Sequence, residues 1–129
     1  MENKTQWQKR VDVTQFLYIC LMSEFNSEQI KTNMLDYELD ANQLKLIEYF
    51  ADHKKEIIEM FSKNLGKNWT WERIAPMQQA IMCVAYCEVK ALDRPIAVAI
   101  DQALITADKY GQLEAKKFIN AILDNILKK

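Results

Sequence analysis

Apolar residues recur three or four positions apart along most of the chain, which is the spacing of the buried face of an α-helix. The clearest run is Ile96, Ile100, Ala103, Ala107 and Tyr110, with intervals of four, three, four and three residues. The pattern predicts helices at about 5–24, 26–39, 42–65, 76–91, 95–110 and 113–128, and a short helix within 69–74 capped by Thr70. We therefore expect an all-α protein of about seven helices.

Glycine and proline are confined to places where a helix is expected to begin or end. Gly66 and Gly111 follow periodic segments, where a glycine just past a helix is favoured. Pro76 and Pro95 precede periodic segments, where first-turn prolines are common. With only two residues of each type, turn-rich sandwiches and barrels are excluded. The two glycines are also too far apart to form a glycine-rich phosphate loop.

The bulk composition fits one folded domain over residues 1–129. Half of the residues are apolar and 27% are charged, as in ordinary globular proteins. Charged residues break every apolar run before it reaches the roughly 18 residues of a membrane span. The polar start MENKTQWQKR lacks the apolar segment of a secretory signal. Since three cysteines without disulfide-like spacing are typical of a reducing compartment, we expect a cytoplasmic protein with no membrane segment.

The formal net charge of −1 excludes a globally basic nucleic-acid binder, so any nucleic-acid site must be a local patch. Residues 1–10 carry a net charge of +2, residues 11–65 of −5 and residues 66–129 of +2. Lysine outnumbers arginine 14 to 3, which limits the two-pronged recognition of phosphate and guanine at which arginine is best. A basic N-terminal tip and a mildly basic C-terminal half thus flank an acidic middle.

The residue types needed for catalysis are sparse. The single histidine, His53, lies on a predicted helix, where a surface histidine is more common than a catalytic one. Cys83 and Cys87 share a helix face, but a metal site would need two more ligands, and only Cys20 and His53 could supply them. Buried thiols packed in a helical core are the simpler interpretation. We expect no catalytic residue, no metal and no cofactor.

Two groups of aromatic residues leave a choice between packing and binding. Trp69 and Trp71 precede the short helix, where such a pair more often fills a gap in a bundle but could also stack on nucleobases. On the first helix, Gln15 and the tip of Tyr18 lie on neighbouring parts of the surface, close in sequence to the basic tip. Amides read base edges, rings stack and cations hold phosphates. The pattern of the first helix is therefore compatible with binding of single-stranded RNA. It is also compatible with a solvated helix face that carries a half-buried tyrosine.

Several motifs after Trp71 occur in an order and spacing that resemble one family closely. They are A-I-x-x-x-A-x-x-E at 80–88, Pro95 followed by V-A-I-D-Q-A at 98–103, K-Y-G at 109–111, and K-F-I-N-A-I-L-D at 117–124. The first helix adds R-x-x-x-x-Q-x-L-Y over 10–18. On these motifs the chain resembles the NusB family of bacterial transcription factors, whereas residues 20–69 match only as helices of suitable length.

The resemblance implies a small all-helical fold of two packed helical subdomains. Proteins of this family bind a short single-stranded boxA RNA jointly with a small-subunit ribosomal protein. The complex helps the RNA polymerase elongation complex to read through terminators, notably on ribosomal RNA operons. Some members self-associate, so monomer and homodimer both stay open. NusB-like domains also precede RNA methyltransferases, but we expect no such fusion because this chain ends at Lys129.

The family pattern, carried onto this sequence, places the RNA-binding residues on the first helix, near the start of the helix at 76–91, and at the start of the last apolar motif. These residues are Lys4, Lys9, Arg10, Gln15, Tyr18, Gln78, Gln79, Lys117 and Phe118. The protein partner is expected on a nearby surface. That surface comprises Glu72, Met77, Ile81, Met82 and Ala85.

Three departures from the family pattern affect the expected function. The first helix, arginine-rich in the family, has Arg10 as its single arginine; Gln78 and Gln79 replace an acidic–arginine pair; and Asn120-Ala121 replaces Asn-Gly. Because the first two changes remove phosphate contacts, we expect weak RNA binding by the protein alone and tighter binding with the protein partner. The expected salt dependence corresponds to about two or three phosphates. The alternative function is a helical protein-interaction module whose RNA binding is weakened or lost.

Overall fold

Six α-helices and two 3-10 turns make up the regular structure of residues 4–128, the part of the chain that this computed structural model describes. The helices are α1 (Gln6–Met22), α2 (Ser27–Met34), α3 (Ala41–Lys63), α4 (Pro76–Leu92), α5 (Ile96–Lys109) and α6 (Lys116–Leu127), and the 3-10 turns span Trp71–Arg73 and Leu113–Ala115. No strand occurs among the described residues. The all-α prediction is confirmed.

The helix boundaries differ from the predicted ones in three places. Helix α2 ends at Met34 rather than near residue 39, because the chain turns directly after it. The short helix predicted within 69–74 is a three-residue 3-10 turn, and the hydroxyl of Thr70 makes no capping hydrogen bond. The last predicted helix begins with the second 3-10 turn and becomes α-helical only at Lys116.

The first three α-helices begin with the same N-terminal capping motif, the capping box. The N-cap side chain accepts a hydrogen bond from the backbone N–H three residues on, and the glutamine at that position accepts one from the N-cap backbone. Each reciprocal pair satisfies two N–H groups that would otherwise lack partners. The pairs are Thr5 with Gln8, Asn26 with Gln29, and Asp40 with Gln43. The pair at Asn26 is the one that the sequence predicts.

Three of the four glycines and prolines mark helix ends as predicted. Pro76 is the first residue of α4, and Pro95 immediately precedes α5. Gly111 follows α5 with a φ of +68°, a conformation that glycine adopts without steric cost. Helix α3 ends at Lys63 with Asn64 as its C-cap, so Gly66 lies two residues beyond the cap, and its φ is not positive. The prediction that Gly66 caps α3 is therefore wrong.

Helix α4 lies at the centre of the molecule and packs against α1, α3, α5 and α6. Its segment 79–85 is buried at every position, which explains why that stretch carries no charged side chain. The largest buried side chains of the core include Leu17, Phe50, Phe61 and Leu123. Burying a side chain of this size stabilises the fold by about 1.5–3 kcal/mol. Residues from the first three helices and the last three thus form one core.

The two tryptophans that precede α4 differ in environment. Trp71 is 6% exposed, and its ring centroid lies 5.6 Å from that of Phe61, so the packing interpretation is confirmed for Trp71. Trp69 is 43% exposed and lies outside the core, so the same interpretation is wrong for Trp69. No helix within residues 4–128 combines the length and apolarity that crossing a membrane requires.

Candidate RNA-binding surface

Side chains of α1, of α4 and of the segment that follows α5 form a chain of amide and phenol groups. The Nε2 of Gln15 on α1 donates a hydrogen bond to the Oη of Tyr110 at 2.8 Å. The Nε2 of Gln78 on α4 donates to the Oε1 of Gln112 at 2.7 Å, and the Nε2 of Gln112 reaches the carbonyl oxygen of Tyr110 at 3.3 Å. We call these four residues the amide–tyrosine network. It presents donors and acceptors of the kind that read the edges of unpaired bases.

The end of α5 fixes two members of this network in place. The N–H of Gln112 donates to the carbonyl of Ala107 at 2.8 Å, and the N–H of Gly111 donates to the carbonyl of Asp108 at 3.1 Å. This pair of bonds, with a left-handed residue at Gly111, is the Schellman ending of a helix. As a result Tyr110 and Gln112, on either side of the glycine, are held against α1 and α4.

An open groove continues the surface from Gln78 towards the start of α6. It has a volume of about 520 Å³ and is lined by Gly66, Trp69, Gln78, Glu114, Ala115 and Phe118. The rings of Trp69 and Phe118 meet edge to face, with centroids 6.3 Å apart. The guanidinium carbon of Arg73 lies 5.1 Å from the centroid of the Trp69 ring. We call this the aromatic groove. Its exposed Trp69 ring, the half-buried Phe118 ring and the adjacent cation suit the stacking of a base.

The predicted lysines lie on the surface, and two of them are paired with carboxylates. The Nζ of Lys4 is 2.6 Å from Asp12 and the Nζ of Lys9 is 2.9 Å from Asp40. Exposed ion pairs of this kind stabilise a protein by about 0–1 kcal/mol, so a phosphate can replace the carboxylate beside either ammonium. Lys117 is exposed in the first turn of α6. These residues supply a modest positive charge near the N-terminal tip and near the aromatic groove.

The carboxylate of Asp40 is held in its charged form. The backbone N–H of Gln43 donates to it at 2.8 Å, and the ammonium of Lys9 lies beside it. These two contacts, the hydrogen bond first, lower the pKa of Asp40 from its ordinary value of 3.8. Asp40 therefore caps α3 and also forms an ion pair with Lys9.

Arg10 does not face solvent, contrary to its predicted place on the RNA-binding surface. Its Nε and Nη2 donate to the two carboxylate oxygens of Glu88, each at 2.5 Å, and its Nη1 donates to the Oε1 of Gln102 at 3.0 Å. The side chain of Arg10 is 7% exposed, and the Nε of Arg94 lies 3.7 Å from Glu88 on the other side. The guanidinium is thus engaged inside the protein, and the expectation that it holds a phosphate is corrected.

Two further predicted RNA-binding residues lie partly or wholly inside. Gln79 is 7% exposed, and its Nε2 donates to the carbonyl of Trp71 at 2.8 Å, so it supports the loop before α4 instead of facing a ligand. Tyr18 is half-buried and packs against the core. The sequence predicts a surface role for both residues, and this is wrong for Gln79.

The predicted protein-partner surface is also corrected in part. Ile81, Met82 and Ala85 are each exposed by 2% or less, because they lie on the central helix α4. They are core residues and cannot contact a partner while the fold is intact. Glu72 is exposed in the first 3-10 turn, and Met77 is half-buried in the first turn of α4. These two remain accessible.

The three cysteines are buried free thiols. Burial raises the pKa of Cys20 to about 11, and burial likewise raises the pKa of Cys83 and of Cys87. Such thiols stay protonated at neutral pH and react slowly. His53 stacks on Tyr49 with centroids 4.1 Å apart. Among residues 4–128, no group of three His, Cys, Asp or Glu side chains is arranged to hold a metal ion.

The network and the groove bring together three of the predicted residues, Gln15, Gln78 and Phe118. Sequence reasoning did not assign a binding role to Tyr110 or Gln112. A signal for Tyr110 was present, since it belongs to the K-Y-G motif, whereas Gln112 is placed only by the helix ending after α5.

Comparison with known proteins identifies the family. The model of the NusB family matches residues 8–128. The transcription antitermination protein NusB of Bacillus mycoides (strain KBAB4) is 37% identical over 97 residues, which cover 73% of this chain and 74% of that protein. The NusB of Methylacidiphilum infernorum (isolate V4) is 34% identical over 126 residues, 90% and 85% of the two chains.

Solved structures agree with the sequence matches. The structure of T. maritima NusB superimposes with a TM-score of 0.81 at 25% identity, covering 99% of this chain and 94% of that one. A Mycoplasma genitalium protein described as structurally homologous to NusB proteins has a TM-score of 0.72 at 26% identity, covering 88% and 92%. The chain therefore belongs to the NusB family of transcription antitermination proteins.

Proposed function

We propose that this protein is a non-catalytic, cytoplasmic antitermination factor that binds single-stranded boxA-type RNA together with a small-subunit ribosomal protein. The joint complex acts on the RNA polymerase elongation complex and promotes read-through, notably on ribosomal RNA operons. The observation that carries the proposal is the amide–tyrosine network, continuous with the aromatic groove at Gln78.

The chemistry of this surface favours an unpaired strand over a duplex. Side-chain amides at Gln15, Gln78 and Gln112 offer hydrogen bonds to the Watson–Crick edges of bases, which are free only when the bases are unpaired. The rings of Trp69 and Phe118 offer faces and edges for stacking. A surface that bound only the phosphates of a nucleic acid would need more lysine and arginine side chains than this surface carries.

The limited charge explains why a protein partner is needed. Arg10 is bound to Glu88, and Lys4 and Lys9 are paired with carboxylates. With about two or three phosphates neutralised, log K for single-stranded RNA falls with log salt at a slope of about −1.4 to −2.1. RNA binding by the protein alone is therefore weak at physiological salt, and contacts from the ribosomal protein supply the rest.

The accessible part of the predicted partner surface lies beside the aromatic groove. Glu72 and Arg73 share the 3-10 turn, and Arg73 covers the Trp69 ring of the groove. Met77 and Gln78 follow in the first turn of α4. A basic ribosomal protein that contacts Glu72 would thus sit next to the RNA, which provides a physical basis for joint binding.

Fluorescence anisotropy with a labelled boxA-like RNA tests the proposal directly. We expect weak binding by the protein alone at low salt and a marked gain in affinity when the small-subunit ribosomal protein is added. A scrambled RNA of the same length and composition is the control for sequence preference. Absence of binding at low salt, both with and without the ribosomal protein, would refute the proposal.

The second candidate function is a helical protein-interaction module with little RNA binding. The engagement of Arg10 by Glu88 favours it, because it removes the one arginine of the first helix from the surface. A pull-down with the purified protein discriminates between the two functions: recovery of the ribosomal protein without RNA supports the module, and recovery of both supports the antitermination complex.

A further inference from the structure

The lysine at the end of α5 lies between two aromatic rings. The Nζ of Lys109 is 5.6 Å from the ring centroid of Trp7 and 5.7 Å from that of Tyr110. Trp7 and Tyr110 are half-buried and Lys109 is exposed. We call these three residues the tryptophan–lysine cluster. It adjoins the amide–tyrosine network, because the Oη of Tyr110 accepts the hydrogen bond from Gln15.

The indole of Trp7 has a hydrogen-bond donor that stays unused among residues 4–128. Its Nε1 is shielded from solvent and has no acceptor among the described residues. A buried N–H without an acceptor is unfavourable. Turning the ring towards a ligand would therefore break no internal hydrogen bond, and it would let the N–H reach an oxygen. The ammonium of Lys109 lies above the ring.

We infer that the tryptophan–lysine cluster binds one unpaired nucleobase of the RNA strand, which stacks on Trp7 while Lys109 turns to a neighbouring phosphate. The inference rests on the proposed function, since it extends the same RNA path from Tyr110 to the start of α1. Stacking of a base on an aromatic ring stabilises a complex more than an exposed ammonium above that ring does. Replacement of the Lys109 ammonium by a base on the Trp7 ring is therefore favourable. Stacking at Trp7 thus compensates for the guanidinium of Arg10, which is engaged by Glu88.

Three variants separate this role from general electrostatics. Trp7→Ala should weaken binding of a boxA-like RNA of about twelve nucleotides by about tenfold while leaving the salt slope unchanged. Lys109→Ala should weaken binding and make the slope shallower by about 0.7. Lys90→Ala is the matched control, because Lys90 lies 5.7 Å from the ring centroid of Tyr86 in a similar pair on α4. It should change neither quantity.

Abasic substitution along the RNA provides a second test, in which the loss of affinity caused by a missing base is compared between the wild-type protein and Trp7→Ala. With the wild-type protein, one abasic position should cost about tenfold in affinity, and with Trp7→Ala the same position should cost almost nothing. If the wild type binds RNA but Trp7→Ala leaves affinity and the abasic profile unchanged, the cluster is not a base site and the proposed function stands. If the wild type binds no RNA with or without the ribosomal protein, both fail.

Discussion

Arg10 and Glu88, 78 positions apart in the sequence, form a two-pronged ion pair in the core, with both N–O distances at 2.5 Å. Their side chains are 7% and 3% exposed. The third arm of the guanidinium reaches Gln102 on α5. One arginine therefore connects α1, α4 and α5, the helices that carry the amide–tyrosine network or lead into it.

Removal of Glu88 should destabilise the fold strongly, because the guanidinium of Arg10 would stay buried without its counter-charge. We expect Glu88→Ala to lower the free energy of unfolding by about 3–5 kcal/mol in urea denaturation. Asp124→Ala is the matched control, since Asp124 forms an exposed pair with Lys128, and such pairs are worth about 0–1 kcal/mol. A loss below about 1 kcal/mol for Glu88→Ala would mean that Arg10 can leave the core and reach RNA.

The helices were predictable because their periodic patterns are local. The Asn26 cap, the Pro76 start and the Gly111 end each depend on residues within one or two turns. The burial of Ile81 was also visible in principle, as the segment 80–85 is apolar at every position. The family resemblance outweighed that signal and placed Ile81 on a partner surface.

The site was less predictable because its contacts span the chain. The hydrogen bond from Gln15 to Tyr110 joins residues 95 positions apart, and the one from Gln78 to Gln112 joins residues 34 apart. A basic residue on an amphipathic helix looks the same in sequence whether it faces a phosphate or a buried carboxylate. Only the fold shows that Arg10 faces Glu88.

Gly111 should be sensitive to the addition of a single methyl group. Its φ of +68° is unfavourable for any residue with a Cβ, so Gly111→Ala should cost about 1–2 kcal/mol of unfolding free energy. Gly66→Ala is the control, because a Cβ there meets nothing within 4 Å and the φ is not positive. It should be neutral or stabilise by up to about 1 kcal/mol. Equal effects of the two changes in thermal unfolding would contradict the proposed constraint at Gly111.

Loss of the Phe118 ring should weaken RNA binding without loss of the fold. The ring forms one wall of the aromatic groove and meets Trp69 edge to face. We expect Phe118→Ala to cost about 1–3 kcal/mol of binding free energy in the anisotropy assay. Val98→Ala, which removes part of an exposed apolar side chain near the start of α5, should have no effect on affinity. An unchanged affinity for Phe118→Ala would show that the groove does not hold a base.

Lys117 should act on RNA through charge alone. It is exposed in the first turn of α6, next to the groove residue Phe118. Lys117→Ala should make the slope of log K against log salt shallower by about 0.7, the value for one phosphate on a single strand. Lys55→Ala, which removes an exposed lysine of α3, should leave the slope as it is. A uniform change for both variants would point to overall charge and not to a contact at Lys117.

Asp40 predicts a pH dependence of stability. The N–H of Gln43 and the ammonium of Lys9 lower its pKa in the folded state below 3.8, the ordinary value. Because the folded pKa is the lower one, the charged carboxylate stabilises the fold above the unfolded pKa, and that contribution is lost as the pH falls through the folded pKa. Its side chain is 38% exposed, so solvent screening limits the contribution to about 0.5 kcal/mol.

Asp40→Asn isolates this contribution, because the amide oxygen can still cap α3 but carries no charge. Urea unfolding should show the wild type more stable than Asp40→Asn by about 0.5 kcal/mol between about pH 5 and 7, with the difference shrinking as the pH falls below 3.8, the ordinary pKa of the carboxyl. Asp36→Asn, in the exposed turn after α2, is the control, since Asp36 caps no helix. A gap between wild type and Asp40→Asn that stays undiminished as the pH falls below 3.8 would assign the effect to hydrogen-bond geometry, and the ionic contact between Asp40 and Lys9 would then contribute nothing to stability.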